Sequence, residues 1–452
     1  MHAQEKGLEY IDARDLKMHM QFLASDELKG RDTGEPGLEI AARYLAVQAR
    51  ALGLTPADPE NGFQQHYIIE EKAYDKENSH ITITDSGIGS VINTDPFYIF
   101  SGGSDSQIII EGEVVFAGYG INDEEHHYND YENIDIIDKV VLIMNRAPMN
   151  EEGTEAQFDH DKWTSRRSFQ YKMQYVYSQQ PKAVLMVLDP KSGFHSFEEI
   201  SPGMANFLSR SRNLKDFENI RRRPGRGPGG GPKTVFIHRS VADQLLEGTG
   251  KNLKDLQLEI DRNLMPQSFS LEGKSVHVVM NMKVTDMVVS NVFGLIEGSD
   301  PVLKEEVVIY LAHYDHVGTD GKGGVFNGAD DNASGTVALI EIAEAYMSEK
   351  NRPARSIGIL WVSAEEVGLY GSRYFAEYPL VPTEKIAAVI NLDMIGRTKT
   401  EEDVKSTKRD LTIVGGDTVK VIGGLQSKVL MEINNQTLEE HGLVGIYTYN
   451  KL

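Results

Sequence analysis

Apolar residues between Asp12 and Leu54 recur at helical spacing. Leu16, Met20, Leu23 and Leu28 form one stripe, and Ile40, Ala41, Tyr44, Leu45 and Ala49 form a second. The run Gly30–Gly37 (GRDTGEPG) interrupts them, so two helices around a turn are predicted. From about Ile108 the texture changes to short β-type runs, Glu111–Gly118, Val140–Met144, Ala183–Leu188 and Val235–His238, separated by polar loops. This stretch reads as a β-rich module. From about Val288 the pattern becomes α/β. Val307–Ala312, Ile357–Val362 and Ala387–Leu392 are apolar runs of the kind expected for strands buried on both faces. Between the first two lies a helix, Thr336–Met347, with Leu339, Ile342, Ala343 and Tyr346 on one stripe. Strands alternating with helices predict a largely parallel sheet covered on both faces.

Each of these strands ends in residues that bind metals or move protons. His313-Tyr314-Asp315 follows the first, Glu365-Glu366 the second and Asp393 the third, while Asp330-Asp331 stands just before the predicted helix. Singly, each has a plain structural explanation: a carboxylate before a helix stabilises its first turn, and acidic residues after strands are common in solvated loops. Jointly they fall at one edge of the predicted sheet, where open α/β folds bind ligands. Imidazole and carboxylate without sulfur suit zinc, with cobalt or manganese as substitutes. One carboxylate can bridge two ions, and another must stay free to carry a proton. On an extended segment residues i and i+2 point the same way, which places Asp315 behind His313.

Composition narrows the partners. The net charge of −22 disfavours nucleic acid and anionic membrane surfaces. The absence of cysteine excludes disulfides and thiolate zinc sites, so any metal is held by His, Asp and Glu. No apolar run approaches the length of a membrane span, and Met1–Lys6 lacks the apolar core of a signal peptide. Arg221–Pro232 (RRRPGRGPGGGP) is a basic, low-complexity tract that reads as a solvated loop.

The segments AHYDHVG (Ala312–Gly318), GADDNASG (Gly328–Gly335), SAEEVGLYGS (Ser363–Ser372) and NLDMIGR (Asn391–Arg397) resemble the signature set of the zinc-dependent exopeptidase family of bacterial leucyl aminopeptidases. Glutamate carboxypeptidases and transferrin receptors are its relatives. FLASDELKGRDTGEPG (Phe22–Gly37) resembles the opening of the same family, and VVFAGYGI (Val114–Ile121) with DKVVLI (Asp138–Ile143) resembles a protease-associated domain. The resemblance implies a three-layer α/β/α zinc-exopeptidase domain with a mostly parallel central sheet and an inserted β-rich protease-associated domain. The expected limits are 1–106 for the first part of the peptidase domain, 107–275 for the insert and 276–452 for the part carrying the metal site.

The same resemblance implies roles. His313 and Asp393 would bind one Zn2+, Glu366 a second, and Asp331 would bridge both, while Asp330 would not be a ligand. Glu365 would be the general base and acid, with Asp315 orienting His313. The substrates would be peptides shortened from the N-terminus, and the location secreted or periplasmic, with the cytoplasm as the alternative. Carboxypeptidase or dipeptidase action on the same site, and a non-catalytic role like that of the transferrin receptors, remain open. A cyclase of N-terminal glutamine would need one zinc and no bridging carboxylate. The family also uses a late His on the second metal. After Asp393 the chain has only His441, which reads as a helix-end residue, so the second ion is expected to lack a His ligand and bind weakly, as in a chain cut short after Leu452. The oligomeric state is not readable.

Overall fold

The computed structural model describes residues 7–58, 60–92, 98–99, 106–159, 162–163, 165, 167–200, 209–215, 233–348, 352–398, 418–422 and 427–448. The chain forms two compact units. One comprises residues 1–67, 289–319 and 323–452, the other residues 68–288 with 320–322. The basic tract at 221–232 lies outside the described residues.

The N-terminal stripes form helices α1 (Ala13–Leu23) and α2 (Pro36–Ala51), joined by a 3-10 segment at Asp26–Arg31. Asp12 caps α1 by accepting the Arg14 N–H, and Pro36 starts α2, where its missing N–H costs nothing.

The 68–288 unit contains most of strand β1 (Gln64–Asp85), then β2 (Ile88–Ile92), β3 (Gln107–Phe116), β4 (Val140–Met144), helix α3 (Ser168–Ser178), β5 (Ala183–Val187), β6 (Arg210–Leu214), β7 (Lys233–Ile237), helices α4 (Arg239–Leu246) and α5 (Leu253–Asn263), and β8 (Phe269–Ile296) through residue 288. Strands β3, β4, β5 and β7 are parallel in that order, while residues 276–281 of β8 pair antiparallel with β3. The unit is therefore more mixed than a β-rich module. Its helices escape a reading tuned to strands because their buried stripes are short, as in α5 with Leu253, Leu256 and Ile260. The expected limits 107 and 275 both fall inside this unit. Residues 69–92 belong to it because they pair with β6 and β2, and residues 276–281 because they pair with β3.

Its core holds a buried charge, Asp123, which accepts hydrogen bonds from Trp163 Nε1 at 2.7 Å and from the His126 backbone N–H at 3.3 Å, with Lys162 Nζ 3.5 Å away. Burial alone would raise this carboxyl, but the bonds from Trp163 and His126 and the Lys162 charge outweigh it and hold it down at about 2. The unfolded value is about 3.9, so the stabilisation is full above that pH and is lost as pH falls toward the folded value. Asp123→Asn is expected to cost about 1–3 kcal/mol at neutral pH. In urea titrations followed by the fluorescence of Trp163 in a Trp361→Phe background, the deficit should shrink on acidification, and a deficit constant with pH would refute the assignment.

The other unit continues with residues 289–296 of β8, then β9 (Val307–His313), α6 (Ser334–Ser348), β10 (Ser356–Val362), α7 (Tyr370–Glu377), β11 (Ile386–Asn391), β12 (Thr418–Ile422), α8 (Lys428–Glu440) and β13 (Val444–Thr448). The order β11-β9-β10 is parallel throughout, and residues 292–296 of β8 close the far side of β10 antiparallel. Every residue of β10 is buried, as its apolar run predicts. The third strand departs from expectation: β11 is mostly exposed, with Val389 and Ile390 open to solvent. Among the described residues it pairs with β9 alone. No described helix is long and apolar enough to cross a membrane.

Candidate metal centre

Three parallel strands deliver their carboxyl ends to one edge, and that is what gathers the site. In register, His313 lies opposite Val362 of β10, and Leu311 lies opposite Asn391 of β11. Asp393, two residues beyond Asn391, is thus level with His313, while Glu365 and Glu366 follow β10 by three and four residues. Chain order β9, β10, β11 becomes spatial order 11-9-10, so the connection after β10 crosses back over β9. Such a reversal leaves a crevice outside the strand ends. The loop before α6 supplies Asp331 to it.

The structure brings the expected ligands together in two groups that share one carboxylate. His313, Asp331 and Asp393 offer one ligand atom each, all within 4.8 Å of one another, and so do His316, Asp331 and Glu366. His313 Nε2 lies 3.3 Å from Asp331 Oδ1 and 3.6 Å from Asp393 Oδ1. His316 Nδ1 lies 2.8 Å from Glu366 Oε1. His316, which sequence reasoning did not single out, stands beside Asp331 and Glu366, the two residues expected at the second ion. It stands three residues after His313 in AHYDHVG, past the end of β9, where the strand's two-residue alternation no longer says which way a side chain points. His441 is the exposed C-cap residue of α8 and joins neither group.

Asp315 is fully buried and does more than orient an imidazole. Its carboxylate is 3.6 Å from His313 Nδ1, which also approaches the Asp315 carbonyl at 3.2 Å. Its two oxygens accept the backbone N–H groups of Glu365 at 3.0 Å and Glu366 at 3.2 Å. One side chain therefore sets both the first His and the pair of glutamates. Asn332, also fully buried, ties the loop before α6 to the end of β11: its Nδ2 donates to the Leu392 carbonyl and its Oδ1 accepts the N–H groups of Gly335 and Met394. Gly335 packs so closely here that a Cβ would overlap the Leu392 carbonyl oxygen. Thr336 Oγ1 donates to the His313 carbonyl at 2.8 Å. Asp330 turns away, accepting the Gly396 N–H and pairing with Arg397 at 3.6 Å, and belongs to neither group.

The electrostatics show a site short of positive charge. Burial by itself would lower the His313 imidazole, but hydrogen bonds to Asp315, Asp331 and Asp393 outweigh it and push it up to about 12. The same contact with His313 holds the Asp331 carboxyl below its ordinary value. Burial raises Glu365 to about 6, with Asp315, Glu366 and Asp393 adding to the effect and His313 opposing it. Imidazoles and carboxylates free of sulfur, in two groups that share Asp331, fit zinc.

Residues 291–442 match peptidase family M28. Leupeptin-inactivating enzyme 1 of Streptomyces exfoliatus is 36% identical over 100 residues, covering 22% of this chain and 21% of that protein. A probable leucine aminopeptidase of Arthroderma otae is 32% identical over 105 residues, covering 22% of this chain and 29% of that protein. The chain thus aligns with less than a third of either relative. Among solved structures, a zinc aminopeptidase from Bacillus subtilis has a TM-score of 0.46 and 16% identity, over 96% of this chain and 79% of that one. The stretch of this chain that resembles peptidase family M28, residues 291–442, contains every member of both groups.

Proposed function

We propose that this protein is a zinc-dependent aminopeptidase that removes N-terminal residues from peptides at a two-ion site. The observation that carries the reading is the sharing of Asp331 between two three-residue groups, because a carboxylate so placed can bridge a metal pair. His313 and Asp393 would hold the first ion with Asp331, and His316 and Glu366 the second. Zinc bound there supplies a Lewis acid that polarises the peptide carbonyl and makes water a nucleophile near neutral pH. Glu365 belongs to neither group and stands beside both, so its carboxylate is free to take a proton from water and hand it to the leaving amine. Asp315 positions Glu365 through the backbone N–H it accepts, keeping that carboxylate at a set distance from the ligands. The 68–288 unit is read as the inserted protease-associated module on the resemblance of Val114–Ile121 and Asp138–Ile143.

The test is hydrolysis of aminoacyl anilides by the zinc-loaded protein, with and without chelator, beside the same peptides blocked at either end. Cleavage that needs zinc and a free N-terminus supports the aminopeptidase. Cleavage that instead needs a free C-terminus assigns a carboxypeptidase to the same site, and no turnover with zinc bound refutes both.

A further inference from the structure

Arg31 is one of the largest fully buried side chains in the molecule, at 1% exposure, and its guanidinium is spent entirely on backbone. Nε donates to the Tyr314 carbonyl at 2.8 Å, one Nη to the carbonyls of Leu23 and Asn327, and the other Nη to the Gly328 carbonyl at 2.9 Å. The backbone beside it adds two more ties, since His316 N–H donates to the Arg31 carbonyl at 3.2 Å and Gly318 N–H to that of Gly30 at 3.1 Å. Asn327 Nδ2 is held in turn by the Ala24 carbonyl and Asp26. Gly30 has a φ of +69°, and a Cβ there would overlap the carbonyl oxygens of Gly318 and Phe326, so the close approach of these segments requires glycine.

The two loops that Arg31 braces are the ones that lack strand support. His313 sits in β9, and Asp393 follows β11 by two residues, so the sheet places two of the first group's three members directly. His316 lies three residues beyond β9, and Asp331 lies in the loop before α6. The planar guanidinium reaches the first loop at Tyr314 and the second at Asn327 and Gly328. A forked cation can span separate acceptors in this way, whereas a point-like ammonium cannot.

We propose that Arg31 is a positioning residue for the second metal group, setting the separation of His316 from Asp331 and so the affinity for the second ion, without touching ligand or substrate. This rests on the two-ion reading above.

The experiment is a zinc titration against a chromophoric chelator for the wild type and Arg31→Lys. In other metal sites, loss of a side chain that orients a ligand weakens binding roughly 10–100-fold. That loss is expected for the second equivalent, with a clearly smaller loss for the first, which keeps the strand-borne His313 and Asp393 and shares only Asp331 with the braced loops. A wild type that takes up one zinc overturns the two-ion reading and this inference with it. A wild type that takes up two, with a Lys variant that weakens both equally or neither, overturns the Arg31 inference alone. Should the Lys variant not fold, the wild type supplies the answer through hydrogen exchange, because coupling between sites is reciprocal. The second equivalent of zinc, and not the first, should slow exchange of the His316 and Gly318 amides. Slowing complete at the first equivalent, or no slowing at all, refutes the proposal.

Discussion

Glu365→Gln should lower the hydrolytic rate by about 10²–10⁴-fold, the usual worth of a positioned general base, and leave the zinc content unchanged. Gln has the same shape and cannot accept a proton at its amide oxygen near neutral pH. Nothing in the local fold depends on the carboxylate: the segment is held by backbone, with the Glu365 N–H on Asp315 and the Glu365 carbonyl accepting from Gly368 and Leu369. Without an ion in the site, burial moves the Glu365 carboxyl up to about 6. The measurement is kcat on an aminoacyl anilide with zinc determined on the same sample. A variant within tenfold of wild type, fully loaded, would remove Glu365 from the reaction.

Asp331→Asn should lower affinity at both positions together, by at least the roughly 10–100-fold seen when a mere orienting partner of a ligand is lost. The reason is topological, since Asp331 is the one residue common to the two groups. An amide oxygen carries no charge, and each group would be left with one imidazole and one carboxylate. Asp393→Asn is the control that separates sharing from general damage, because it should weaken the first ion alone. Asp330→Asn should leave both ions in place, as that side chain faces Gly396 and Arg397. Chelator competition reads all three. Loss of a single ion from Asp331→Asn would mean that it does not bridge.

The site was legible in the sequence to the extent that strand ends were. His313, Glu365, Glu366 and Asp393 all follow apolar runs, and such runs are readable because a strand buried on both faces needs an unbroken apolar stretch. Parallel pairing then makes the convergence of their ends automatic. His316 was illegible for the complementary reason: it lies beyond the regular backbone, where no periodicity predicts direction. Arg31 carries no mark in the sequence beyond lying in the segment that resembles the family's opening, because a buried arginine that bonds to carbonyls has no partner residue type to look for. The 68–288 unit was read as too rich in strand and too short, since pairing across a hundred residues or more, such as residues 69–73 with 210–214, leaves no local mark.

The sequence alone determined the chemistry available: carboxylates and imidazoles without thiols, placed after buried strands, with the family's motifs in order. Only the tertiary structure decided how those groups are shared out. It made Asp331 common to two groups, supplied His316 to the second, and turned Asp315 from an imidazole partner into the anchor of both glutamates. Donor type is a property of each residue, whereas bridging is a property of distances between loops far apart in sequence, and those distances are set by strand register and by the buried Asn332 and Arg31 contacts that hold the loops.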